Sequence, residues 1–88
     1  MSIARYAAKR DANEAQLVDA LQRLGWSVLK VSEPGAPDLV CGRGAALVLV
    51  EVKGDKGQLR ASQRRFRERW RGPAPVVVRT LADVEALR

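Results

Sequence analysis

Histidine is absent from the 88 residues, and Cys41 is the single cysteine. No imidazole base and no Cys/His catalytic pair is available, and an intrachain disulfide and a zinc finger are excluded. Aromatic residues make up only 5% of the chain. Trp26, Phe66 and Trp70 are therefore expected to fill a small core rather than to stand free as base-stacking platforms. No apolar run approaches the roughly 20 residues that span a bilayer. Residues Met1 to Arg10 lack the apolar centre of a signal peptide. A cytoplasmic chain with no membrane partner is the expectation. Repeats and low-complexity segments are also missing.

What is present argues for one folded unit over residues 1–88. Hydrophobic residues reach 47%, too many for disorder. A chain of this length makes one domain with a modest core, and association with a second copy is compatible with that size. The net charge is +6 and the sequence pI about 10.5, a balance typical of domains that meet nucleic acid or an anionic surface.

Leu17, Leu21 and Leu24 recur at helical spacing, with Gly25 as the stop, so a helix is predicted over Asn13 to Leu24, with Asp11 or Asn13 as its N-cap. Trp26 to Val31 reads as a strand, and Ser32 to Pro37 as a loop. Asp38 to Gly42 is a second strand, in which Cys41 reads as a small buried hydrophobe. Gly42-Arg43-Gly44 is expected to turn the chain into Ala46 to Lys53, an apolar run suited to a central strand covered on both faces. A charged loop, Gly54 to Gly57, leads to a helix over Arg60 to Arg71, ended by Gly72, Pro73 and Pro75. Val76 to Arg79 is a short last strand. Thr80 with Asp83 forms a capping box for a terminal helix through Leu87. The order is α-β-β-β-α-β-α. It predicts an α/β fold with a mixed four-stranded sheet flanked by helices: the middle hairpin is antiparallel, and the helix before the last strand permits a parallel crossover.

Asp38 follows Pro37, and twelve residues separate it from Glu51-Val52-Lys53. Strand side chains alternate faces, so Glu51 and Lys53 point one way and Val52 the other. The hairpin can bring two carboxylates and one ammonium to one end of a sheet. Asp38 and Glu51, helped by the Val52 backbone carbonyl, are candidate ligands for Mg²⁺ or Mn²⁺. Lys53 would contact an attacking water or a scissile phosphate. That set suits metal-assisted hydrolysis of a phosphodiester. Glu14 would add a third carboxylate, reaching the cation through a water, if its end of the first helix faces the hairpin. Gln63 interrupts the face made by Leu59, Phe66 and Trp70, and a polar amide there needs a partner, such as Lys53, a metal-bound water or substrate.

Glu14, Pro37-Asp38, Glu51-Val52-Lys53 and Gln63 together resemble the PD-(D/E)XK nuclease superfamily. The pattern is most similar to its small standalone VRR-NUC-type members, found in phages and bacteria. The resemblance extends from Glu14 to the last strand. It implies a restriction-endonuclease-like core and divalent-metal-dependent DNA cleavage, with Glu14, Asp38, Glu51, Lys53 and Gln63 as active-site residues. It also implies a homodimer, branched or Holliday-junction DNA as a substrate, and a bacterial or phage-infected host cytoplasm as the setting.

From Lys53 to Arg71, eight Lys and Arg residues stand against two acidic ones, Asp55 and Glu68. Lys56, Arg60, Arg64, Arg67 and Arg71 are the candidate DNA-binding residues, with Arg43 and Arg79 extending them. Such a surface neutralises backbone phosphates without reading bases, so cleavage of branched or duplex DNA with little sequence specificity is expected. Two other readings stay open: a non-catalytic nucleic-acid-binding module on the same fold, and an assembly subunit that sets the arginine helix against an acidic protein.

Overall fold

A computed structural model describes residues 12–88. Helix α1 spans Glu14–Arg23, close to the predicted bounds. Its amphipathic spacing buries Leu17 and Leu21, each of which contributes about 1.5–3 kcal/mol by leaving water. Beyond Leu24 the chain closes the helix with two reversed bonds: the Gly25 N–H donates to Gln22 O and the Trp26 N–H to Leu21 O.

Strand β1 covers Ser27–Lys30, β2 Leu39–Arg43, and β3 Ala46–Val52. Helix α2 covers Ala61–Arg69, β4 Val76–Val78, and α3 Leu81–Glu85. The four strands form one mixed sheet in the order β1-β2-β3-β4. The first two pairings are antiparallel and β3–β4 is parallel, as the intervening helix allows.

The turn between β2 and β3 differs from the expected Gly42-Arg43-Gly44. Arg43 pairs with Ala46, so Gly42 and Arg43 belong to the strand and Gly44-Ala45 makes the reversal. Gly44 has φ +59°, and two-residue hairpins favour glycine because their twist demands positive φ.

One sheet face carries the core. Leu39 and Cys41 of β2, Val50 and Val52 of β3 and Val78 of β4 are fully buried with Leu17, Leu21, Trp26 and Val84. Helix α1 packs over β1 and α3. Burial pushes the Cys41 thiol up to about 11, so it behaves as the small hydrophobe expected. Thr80 caps α3: its Oγ1 accepts from the Asp83 N–H at 3.2 Å, and Asp83 Oδ2 accepts from the Thr80 N–H at 3.1 Å.

Three expectations are corrected here. Strand β3 is central but not covered on both faces along its length, because Leu47 is 60% exposed. Phe66 and Trp70 do not enter the core: they stack on each other at 5.0 Å between ring centroids, no residue of α2 is fully buried, and Trp70 is exposed. Only Trp26 fills the core role. Helix α2 also ends two residues before Arg71. Trp70 leaves the helix in an extended conformation, and its indole N–H donates to Pro73 O at 3.0 Å. No helix among the described residues is long and apolar enough to cross a membrane.

Asp11 lies outside the described residues. Asn13 occupies the position before α1 but does not cap it: its backbone is already helical (φ −85°, ψ −1°), whereas a capping side chain needs an extended one. Its amide instead donates to Lys53 O and Arg79 O, both at 3.2 Å, and ties α1 to the ends of β3 and β4. Asn13→Ala is expected to cost about 1–3 kcal/mol by leaving those carbonyls without a donor. At about 4–8 °C per kcal/mol, the loss is readable in a thermal melt. Asn13→Asp is expected to fall at least as far, although Asp is a good capping residue. A melt of that variant matching wild type would show that capping outweighs the clamp.

Candidate functional site

The site grows out of the β2–β3 register. Leu39 pairs with Val50, so one step further places Asp38 opposite Glu51. Cross-strand neighbours share a face, and this face is the one opposite the core. Asp38 Oδ2 accepts a hydrogen bond from the Val52 N–H at 2.8 Å, and Asp38 O accepts one from the Val31 N–H at 2.8 Å. The residue just before β2 is thereby held on both sides. Past the end of β3 the Lys53 N–H donates to Val78 O at 3.1 Å, which prolongs the parallel pairing. Glu51 and Lys53 then emerge on the same side, as the alternation predicts.

Of the four charged residues that sequence reasoning placed on or beside this strand end, Glu14, Glu51 and Lys53 are enclosed and Asp38 is half-buried. Relative exposures are 4% for Glu14, 3% for Glu51 and 6% for Lys53. Buried charges need partners, and Gln63 supplies them for Glu51 and Lys53. Its Nε2 donates to Glu51 Oε2 at 2.7 Å, and its Oε1 accepts from Lys53 Nζ at 2.9 Å. Lys53 can only donate, so the amide oxygen must face it and the NH₂ must face Glu51. The same Oε1 accepts from the Arg60 N–H at 2.7 Å. Gln63 therefore links the start of α2 to the sheet. Its polar presence on an apolar face is explained by Lys53, one of the partners anticipated. Lys53 Nζ lies 3.7 Å from Glu51 Oε2.

Two carboxyl groups this close oppose each other's ionisation. The Glu51 carboxyl is pushed up to about 8, by burial first, then by a hydrogen bond and charge repulsion from Asp38. Lys53 and Arg67 pull in the opposite direction and only partly offset this.

Glu14 sits at the right end of the molecule, since its neighbour Asn13 reaches Lys53 O. Among the described residues, however, no group of three or more His, Cys, Asp or Glu side chains is arranged to hold a metal. The ligand set at hand is the Asp38–Glu51 pair with the Val52 carbonyl at the same strand end. Those donors fit a hard divalent cation, because an added positive charge would offset the burial and the neighbouring carboxyl that together hold the Glu51 pKa high.

The surrounding loops are tied down. Gly35, with φ +82°, brings the β1–β2 loop against α2: a Cβ on it would stand 3.0 Å from Ser62 O. Gly57 lies over the Lys53 stem. An open depression of about 520 Å³ adjoins the site through Gly54, but it is lined by Ala12, Asn13, Asp55, Arg79 and Thr80 and by none of the candidate catalytic side chains.

Of the candidate DNA-binding residues, Lys56, Arg60, Arg64 and Arg71 are exposed and Arg67 is half-buried. Arg43, which is exposed, and Arg79, which is half-buried, are each anchored to backbone carbonyls. The Arg43 guanidinium lies 4.2 Å from the Trp26 ring centroid and donates to Leu24 O at 2.9 Å. Arg79 donates to Gly54 O at 2.7 Å and Asp55 O at 3.5 Å. Sequence reasoning missed these anchors, and it missed the Asn13 clamp. Each depends on backbone carbonyls far away in the chain, for which no local pattern exists.

A pH dependence follows. In EDTA, folded Glu51 keeps its proton to about pH 8, whereas the unfolded chain releases it near 4.5. The unfolded state binds fewer protons in that window, so stability falls as pH rises from about 4.5 to about 8. Glu51→Gln can accept from Gln63 and donate to Asp38 without ionising. It is expected to melt at least about 4 °C above wild type at pH 8.5, the shift for about 1 kcal/mol in a domain this small. The two should converge near pH 4, and an unchanged gap across that range would refute the proton assignment.

Comparison of the chain with protein-family models, with curated proteins and with solved structures gives no match in any of the three.

Proposed function

We propose that this protein is a divalent-metal-dependent endodeoxyribonuclease with a restriction-endonuclease-like core of the PD-(D/E)XK superfamily, similar to its VRR-NUC-type members. On this reading it works as a homodimer on branched DNA, including Holliday junctions, with little regard for base sequence. The observation that carries the reading is the enclosed cluster in which Asp38 faces Glu51 while Gln63 joins Glu51 to Lys53.

Asp38, Glu51 and the Val52 carbonyl would hold Mg²⁺ or Mn²⁺, with Glu14 contributing from the start of α1. When bound, such a cation supplies charge neutralisation at the phosphate and a more acidic water. Hydrolysis forms one bond from a water oxygen to phosphorus and breaks one bond from phosphorus to a sugar oxygen. The water releases its proton to solvent, and the leaving oxygen takes one up. Lys53 Nζ spends one of its three donors on Gln63 Oε1 and can turn another toward the attacking water or a phosphate oxygen. Gln63 keeps that ammonium and the Glu51 carboxyl in fixed relation. The exposed cations Lys56, Arg60, Arg64 and Arg71 border the site through the start of α2 and would meet the flanking phosphates.

The test is cleavage of linear duplex, nicked and four-way-junction DNA in Mg²⁺, Mn²⁺ or EDTA. Wild type is expected to cut with either metal, fastest at the junction, and not in EDTA. Asp38→Asn and Lys53→Ala are expected to lose at least about 10²-fold in rate, the scale of removing one transition-state contact, while still binding DNA. Variants that cut like wild type would place the chemistry elsewhere. Wild type that binds DNA without cutting it would leave the non-catalytic binding module as the better reading.

A further inference from the structure

Arg67 stands apart from the other arginines of its segment. Arg60, Arg64, Arg65, Arg69 and Arg71 are exposed, whereas Arg67 is half-buried. It lies one helical turn beyond Gln63, and residues four apart share a helix face. Gln63 is bonded to Glu51, so Arg67 is on the side of α2 that meets the site. Its charge is close enough to Glu51 to favour the ionised carboxyl.

Despite this, its hydrogen-bonding capacity is not used up. The Nη2 atom is closed off from solvent and has no hydrogen-bond partner among the described residues. Arg67 makes none of the ion pairs found among those residues, which join Arg23 to Asp19 and Lys53 to Glu51. Glu51 Oε2 is already engaged by Gln63 Nε2. A donor left unmade away from water costs about 1–3 kcal/mol. A helix with this many exposed arginines could avoid that cost by turning the side chain outward. The guanidinium fork matches a phosphate, which it grips through two parallel N–H bonds.

Building on the nuclease reading above, we propose that Arg67 is a further catalytic residue: its fork takes a non-bridging oxygen of the scissile phosphodiester beside Lys53. The contact strengthens as charge builds on the phosphorus-bound oxygens, so it acts on the rate rather than on affinity. Arg67 thereby leaves the row of outer cations. Those residues bind flanking phosphates, whereas this one binds the phosphate that reacts.

The experiment compares wild type, Arg67→Leu, Arg67→Lys and Arg23→Ala on four-way-junction DNA. Arg23→Ala removes the same charge at the far end of α1. Single-turnover rates are measured at saturating DNA over a range of Mn²⁺ concentrations and pH, and affinity is measured separately in EDTA. Arg67→Leu is expected to lose about 10²–10³-fold in rate, the scale of removing one preorganised donor, with affinity close to that of Arg23→Ala. Arg67→Lys keeps the charge without the fork and is expected to recover only part of the rate, while Arg23→Ala keeps the wild-type rate.

A rate for Arg67→Leu within a few-fold of wild type overturns the inference. So does a rate restored by more Mn²⁺ or higher pH, which would mean that Arg67 acts through Glu51. A loss confined to affinity overturns it too, by returning Arg67 to the outer surface. Should Arg67→Leu fail to melt cooperatively, Arg67→Lys decides: full activity overturns the fork, and a deficit at saturating DNA supports it. Wild type that cuts nothing removes the nuclease reading itself, an outcome distinct from wild type that cuts and an Arg67 variant that cuts equally well.

Discussion

Two carboxyl groups held opposite each other on neighbouring strands, with one of them shut away from water, cannot both carry charge without compensation. That constraint organises this end of the molecule. Asp38 is fastened by the Val52 N–H, and Glu51 is fastened by Gln63, so neither is placed to swing apart and relieve the repulsion. The protein offsets the strain partly with Lys53 and Arg67 and partly with a retained proton, which puts the Glu51 carboxyl near 8. A buried carboxyl beside a second one is weak evidence for stability, because leaving water costs more than a modest set of contacts returns. On the function proposed above, it is a place prepared for positive charge.

The same strand serves the core and the site because of its pleat. Val50 and Val52 face the apolar side and are fully buried, while Glu51 between them faces the other way. A one-residue slip in the β2–β3 pairing would send Glu51 into the core and two valines out, so burial of the valines enforces the position of the carboxylate. The core thus acts as the positioning device for the polar cluster. Helix α1 and the ends of β3 and β4 are locked together by one amide, that of Asn13. Arg79 holds the backbone just beyond Lys53. The ammonium is consequently supported from behind as well as from the Gln63 side.

Helix α2 reads differently once its neighbours are known. Its spacing of Leu59, Gln63, Phe66 and Trp70 suggests a packing face, and the face exists, but it meets a polar cluster at one end and stays open at the other. Phe66 and Trp70 stack on each other instead of entering the core, which the valines of β3 and β4 and the leucines of α1 already fill. The arginine row is likewise divided. Four of the five candidate DNA-binding cations are exposed and Arg67 is half-buried, a difference that a helical repeat of 3.6 residues does not resolve for side chains near the edge of a face.

Alternation and spacing along the chain were enough to set the element order, the bounds of α1 to within a residue, the common direction of Glu51 and Lys53, and the need of Gln63 for a partner. These features are local: each follows from a period of 2 or 3.6 residues, from capping chemistry, or from the cost of an unpaired amide. What folding alone decided was non-local. Which carbonyls Asn13 and Arg79 would hold, that Arg43 would lie on Trp26, and that Glu51 would be enclosed enough to keep its proton all depend on segments up to 66 residues apart in sequence. Backbone acceptors are the same at every residue, and burial is a property of the assembled whole, so no run of side chains could have announced them.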